Sequence, residues 1–271
     1  VFTGSGTDSI VAGGGVWTSV SDAGAEVVVL SATDLPSATI AGTMASNNNA
    51  LIVTGNGDVA DSAFTTITHF SRLDLADATA RTVTLDTLSH DTGITTVDAS
   101  NTTGTVVVDA TARSDTFTVL AGSGTDTFLG GSGSDTFVAG AGSASMTGNS
   151  GADAFVLNGH VGSGVATITD FQQNVDNIQI NDGQFSFGSS GSLVLDVNFA
   201  SADSTHQMGG GTSYSATAAA GIVAIDDGAG GATVWYTSDM SAASIANSQE
   251  IAHVTNVDTS QLDGSQFHLH V

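Results

Sequence analysis

Between Ala121 and Val156 aspartate recurs at intervals of nine residues, in four consecutive units that read AGSGTDTFL, GGSGSDTFV, AGAGSASMT and GNSGADAFV. Asp126, Asp135 and Asp153 occupy the sixth position of the first, second and fourth units, and Ala144 occupies it in the third. Glycines crowd the opening positions, among them Gly122, Gly124, Gly130, Gly133, Gly148 and Gly151. A carboxylate beside glycines, whose backbone reaches conformations that let carbonyl oxygens converge, suits a hard cation. Calcium, with roughly six to eight oxygen ligands, is the ion such a donor set favours. The eighth position is Phe128, Phe137, Met146 or Phe155, so each unit also carries one large apolar side chain.

These residues need an element that brings distant units together. A short fixed period marks a solenoid, in which each repeat buries its apolar residue only against its neighbours. A flexible Gly-Ser-Asp linker has no reason to place a large apolar residue at every ninth position. The units resemble the GGxGxDxUx nonapeptide of the RTX (repeat-in-toxin) proteins, and Gly130 to Val138 agrees at every defined position. The resemblance implies a calcium-binding parallel β-roll with two units per turn, the first six residues of a unit forming the ion-binding turn and the last three a strand. It also implies an ion between units that are two apart. Asp135 and Asp153 would then share a complete site, while Asp126 would be matched with Ala144 in a deficient one.

Other stretches extend this pattern. Thr3 to Val11 is an isolated unit with Asp8 in the sixth position, where Asp8 is either a ligand or a turn residue. The run ARSDTFTVLAG resembles a truncated unit and makes Asp115 a candidate ligand at the seam. Upstream, short β-type runs such as EVVVL, ALIVTG, RTVTL and TVVVDA are separated by polar turns. Asp74, Asp86, Asp98 and Asp109 lie there at spacings of 12, 12 and 11, which suits one strand plus one turn per repeat in a parallel solenoid. Without neighbouring glycines these four are expected to cap turns or face solvent.

Downstream, VATITDFQQNVDNIQI resembles the segment that follows the nonapeptides in RTX proteins, with Asp170, Phe171 and Asp176 on an apolar frame, and the resemblance implies that it closes the roll. LVLDVNF reads as a strand and GIVAIDDGAGGATVWY as a hairpin around an Asp-Gly turn. Ser238 to Asn247 is the expected helix. The final run, QEIAHVTNVDTSQLDGSQFHLHV, resembles the extreme C-terminus of type I secreted RTX proteins, which implies an uncleaved secretion signal. The expected fold is therefore all-β. A right-handed parallel β-solenoid over residues 1–120 runs into a calcium-binding β-roll over 121–165 and is closed by a small C-terminal β cap over 166–271.

Composition narrows the function. The 271 residues include 34 glycines, one proline, no cysteine, three arginines and no lysine, against 27 acids, for a net charge of −24. All the acids except Glu26 and Glu250 are aspartate, the side chain that suits turns and tight cation sites. Such a charge opposes compaction unless counter-ions relieve it, and it argues against a nucleic-acid partner. Without cysteine there is no disulfide, and no stretch approaches the roughly 18 apolar residues of a membrane span. Val1 opens no secretory signal peptide.

A catalytic constellation is not expected. Phosphate loops, HExxH, GxSxG, cysteine nucleophiles and lysine are all missing. His268 and His270 are spaced to share one strand face but bring no third ligand. Asp226 and Asp227 are explained by their turn, and Trp17, Trp235 and Tyr236 by packing. Two readings follow. In the first, the chain is a non-enzymatic, extracellular calcium-binding part of a bacterial S-layer or large surface protein, secreted by a type I exporter, folded by Ca2+, self-assembling into a lattice and attached to a surface polysaccharide. In the second, it is the secretion and folding module of an exported RTX hydrolase or adhesin. A repeat solenoid over residues 12–120 favours the first reading, and a convergent His, Asp and Ser site there favours the second.

Overall fold

Along EVVVLS and ALIVT every second side chain is buried, the period of a strand with one face against a core. The structure, a computed structural model of the chain, describes residues 8–11, 18–19, 24–42, 48–76, 80–158, 164–181, 199–202, 220–238, 248–257 and 266–270. It is nearly all-β, with parallel strands stacked as a β-solenoid of about seven turns. The chain divides into two units, Val1–Asp135 and Thr136–Val271.

The strands of the first unit are β1 (Asp8–Val11), β2 (Thr18–Ser19), β3 (Glu26–Ser31), β4 (Thr39–Ala41), β5 (Ala50–Thr54), β6 (Ile67–Thr68), β7 (Arg72–Leu75), β8 (Arg81–Thr84), β9 (Thr96–Asp98), β10 (Val106–Asp109), β11 (Thr118–Leu120) and β12 (Asp126–Leu129). The odd-numbered strands from β1 to β11 form one parallel sheet, β8, β10 and β12 a second, and β2, β4 and β6 a third. Consecutive strands thus fall in different sheets. Asp74 pairs with Asp98 across β7 and β9, and Thr84 pairs with Asp109 across β8 and β10. Two of the 12-residue repeats legible in the sequence therefore make one coil.

In-register stacking builds the core. Leu51, Leu73, Val97 and Val119 lie one above another on the first sheet, and Val83, Val108 and Phe128 do so on the second. All seven are fully buried, and each contributes roughly 1.5–3 kcal/mol relative to exposure. Two 3-10 turns, Leu35–Ser37 and Asp61–Phe64, bury Leu35 and Phe64 at coil corners.

One short helix, α1 (Thr87–Thr92), was not expected. Asp86 caps it through a capping box with Ser89, and Gly93 ends it at φ 98°. Asp61, in the preceding coil, accepts hydrogen bonds from the amides of Asp86, Leu88 and Ser89 at 2.8, 3.0 and 2.8 Å. The helix start is thereby held from its own coil and from the one before.

The second unit holds β13 (Thr136–Val138), β14 (Ala144–Thr147), β15 (Ala154–Leu157), β16 (Ala166–Ile168), β17 (Asn177–Asn181), β18 (Phe199–Ala202), β19 (Gly221–Asp226), β20 (Gly231–Thr237), β21 (Ser248–Thr255) and β22 (Phe267–His270). The last three residues of every nonapeptide lie in a strand, β12 to β15, as the repeat implied. Phe137, Phe155, Ile178 and Phe267 stack in register, as do Met146, Ile168 and Val254. Phe155 lies 5.6 Å from the Phe137 ring and 6.4 Å from Phe171. The expected hairpin is present as antiparallel β19 and β20, with β21 antiparallel to β20 and parallel to β16. The helix expected over Ser238–Asn247 lies outside the described residues beyond Ser238, as does the LVLDVNF strand up to Phe199.

Candidate functional site

The sixth-position aspartates sit at strand starts, where a turn delivers the chain into a sheet. Asp126 opens β12, while Asp135 and Asp153 immediately precede β13 and β15. All three are buried. Asp126 accepts hydrogen bonds from the Val106 amide at 2.9 Å and the Gly122 amide at 3.0 Å. Asp135 accepts them from Phe117 and Gly131, both at 3.1 Å. In each case one oxygen takes the amide of the preceding coil and the other takes the amide four residues back in its own turn. Burial raises both carboxyls above the ordinary 3.8, and the two amide bonds oppose it without prevailing. At Asp135 the nearby Asp115 charge adds to the rise and Arg113 offsets part of it.

The glycines serve chiefly to let coils approach. A Cβ on Gly122 would overlap the carbonyl oxygens of Thr102 and Ala99, one on Gly124 that of Gly104, one on Gly131 that of Arg113, and one on Gly133 that of Asp115. In the second unit a Cβ on Gly148 would overlap Oδ2 of Asp153. Positive φ, the property first expected of these glycines, occurs in the repeat run only at Asn149 (66°) and Gly151 (128°). Gly130, between β12 and Gly131, also keeps to negative φ. The requirement for glycine is thus one of space rather than handedness at most positions.

Asp115 is held by Arg113, whose Nε donates to its Oδ1 at 2.9 Å and whose Nη2 donates to Oδ2. Burial pushes the Asp115 carboxyl up, but this guanidinium holds it below 3.8. Arg113 is itself buried, donates to the Ile94 carbonyl at 2.7 Å, and lies 5.8 Å from the Phe117 ring centroid. Asp8 opens β1 opposite Glu26, a strand start like those of the repeats. Asp170 receives the amides of Gly148 at 2.9 Å and Asn149 at 2.7 Å, so the segment after the repeats clamps the turn of the fourth unit. Asp86, Asp98 and Asp109 cap local turns, as expected. Asp74 and Asp98 are also bridged by Arg72.

Sequence reasoning did not single out Asn49 or Asp61 and did not foresee the bonding of Asp176. Their roles depend on residues about one coil away, although each has the signature of a side-chain acceptor at the start of an element. Among the other candidates, His268 is exposed on β22 opposite Gln179. Asp227 accepts the amides of Ala229 and Gly231 in the hairpin turn and lies 3.0 Å from His253 Nε2. Trp235 is half-buried on β20, and Trp17 lies outside the described residues.

Among the described residues no three His, Asp or Glu side chains converge as a metal ion would require. A cation in the repeat run must therefore draw part of its shell from backbone carbonyls. Those of Ala99, Thr102, Arg113 and Asp115 crowd the turn glycines, and a carboxylate oxygen that accepts one amide hydrogen retains a second lone-pair direction. The donors are all hard oxygens, which fits calcium in type. Among the described residues no helix is long and apolar enough to cross a membrane. No family model, no curated protein and no solved structure matches this chain.

Proposed function

We propose that the chain is a calcium-binding structural protein of the RTX type, secreted by a type I exporter and assembled outside the cell as part of an S-layer or large surface protein. The charge balance inside the coils carries this reading. Among the described residues Glu26, Asp98, Asp126, Asp135, Asp153 and Asp176 are buried, against Arg81 and Arg113 among the bases, with Arg72 reaching Asp98 from the surface. Arg113 is engaged by Asp115, and Arg81 donates to the carbonyls of Val53 and Gly55. Buried carboxylates are costly without compensating positive charge, and a divalent cation in the repeat turns supplies it. Where free calcium is scarce the acidic repeats stay expanded and pass through the exporter. Outside, sites with dissociation constants of about 10⁻⁴–10⁻³ M fill and draw the chain into its coils by mass action. The protein performs no reaction in this reading; its partners are calcium, the exporter, other copies and a surface polysaccharide.

The experiment is calcium-induced folding of three variants, followed by circular dichroism. Asp135→Ala and Asp153→Ala are expected to raise the calcium midpoint more than Asp126→Ala, because Ala144 already leaves the Asp126 site one carboxylate short. Equal shifts from all three would refute the pairing of units.

A further inference from the structure

The bonding of Asp126 and Asp135 recurs where the nonapeptide is absent. Asp176 immediately precedes β17, lies among VDNIQI rather than in a glycine-rich turn, and is buried. It accepts the Asp153 amide at 3.0 Å and the Gln172 amide at 2.7 Å, the latter again four residues back. Far upstream, the buried Asn49 immediately precedes β5, and its Oδ1 accepts the Glu26 amide at 2.8 Å. The two chain ends of these bonds are separated by 23, 20, 18 and 23 residues for Asn49, Asp126, Asp135 and Asp176, one coil in each case.

Register explains the recurrence. Val27 pairs with Ala50, Val107 with Thr127 and Ala154 with Asn177, so Glu26, Val106 and Asp153 lie directly across from Asn49, Asp126 and Asp176. At a strand start the neighbouring chain has not yet entered the ladder, and a buried amide there needs another acceptor. The side-chain oxygen supplies it and extends the ladder by one rung. The second oxygen of each aspartate accepts the amide that closes its own turn. Asn49 instead donates its Nδ2 to the His69 carbonyl at 2.6 Å. Two amide donors therefore go with a carboxylate, and one amide donor plus one carbonyl go with a carboxamide.

We propose that the residue at the strand start is a coil lock, made by side chain to backbone bonding without any ion, and that Asp176 is a full member although it lies outside the repeat. The lock rests on the fold rather than on the calcium reading, and it gives Asp126 and Asp135 a second role beside the one proposed above. Coils that carry the carboxylate form are closed at the cost of a buried charge. The coil closed by Asn49 avoids that cost at the lock itself.

The test uses the full chain in calcium-containing buffer, with amide hydrogen exchange, thermal unfolding and calcium titration on Asp176→Ala and Asp176→Asn. Asp176→Ala is expected to lose exchange protection at both the Asp153 and Gln172 amides and to melt about 5–10 °C lower. Because calcium draws the chain into its fold by mass action, the variant's calcium midpoint should rise in step with that loss of stability. Should the alanine variant fail to fold, Asp176→Asn decides: it keeps one acceptor oxygen and is expected to keep protection at only one of the two amides. Unchanged protection at both amides in either variant would overturn the lock. So would a calcium midpoint raised by at least about tenfold with both amides still protected, since Asp176 would then act as a ligand. If calcium has no effect on the parent chain but Asp176→Ala loses both amides, the calcium reading fails and the lock stands.

Discussion

Asp135 has one oxygen on an amide of the previous coil, the other on an amide of its own turn, and no exposure to solvent that would ease its charge. Burial raises the folded-state carboxyls of Asp126, Asp135 and Asp176 above 3.8, so each favours the fold most when protonated. That contribution is complete below 3.8 and is lost as pH rises through the raised folded value. Asp61 and Asp115 have the opposite sign. Burial raises them, but the amides of α1 and the Arg113 guanidinium respectively bring them below 3.8, so their contribution exists above 3.8 and is lost as pH falls through the lowered value. Carboxyl-resolved NMR titration of the calcium-folded chain should find Asp176 titrating above 3.8 and Asp61 and Asp115 below it. An Asp176 carboxyl at or under 3.8 would contradict this account of its burial. Arg113 offers a second test at the same scale. Arg113→Ala removes the partner of Asp115 together with bonds to Ile94 and Ser89, and urea unfolding should show a loss of about 3–5 kcal/mol. The chemistry of these residues was only half legible in the sequence. A repeated aspartate among glycines announces an oxygen site, but one of the two amides each accepts lies 18 or 20 residues away and follows from strand register. Asn49, in an ordinary polar stretch, carries no local sign that Glu26 lies across from it.

The strands were the most legible elements, because a large apolar residue at every eighth position of a nonapeptide has nowhere to go except into a stacked core. Phe155 sits in that stack without exposure, between Phe137 and Phe171. Phe155→Ala should therefore cost about 3–5 kcal/mol in denaturant unfolding; a cost below about 1 kcal/mol would mean that the stack is not the core of this unit. The glycines were recognised for the wrong reason. Backbone handedness is visible in a sequence only as a preference for glycine, and so is close approach, so the two cannot be separated before the coils are placed. Gly131→Ala is expected to destabilise the chain by about 1–3 kcal/mol through its overlap with the Arg113 carbonyl. Helix α1 was missed although Asp86 and Gly93 are ordinary start and stop signals. Its six residues are too few to show a helical period, and Asp86 also fits the 12-residue register of the strands.

At the scale of the whole molecule the solenoid was legible from two periods, nine residues in the repeat run and about twelve upstream, since both describe half a coil. What neither period carries is the returning end of the chain, where β21 and β22 join parallel strands laid down 86 and 89 residues earlier. Such long-range pairing leaves no local repeat to read. The charge of −24 acts on the molecule as a whole, and three arginines, two of them buried, leave most of it to be balanced by ions. The most direct measurement is a calcium titration of the chelator-stripped chain, followed by circular dichroism and light scattering together. Calcium-dependent gain of β structure, followed by growth into large assemblies, is the predicted result, whereas folding to a lasting monomer would favour a secretion module. A stripped chain that is already fully folded and does not respond to calcium would contradict the central claim.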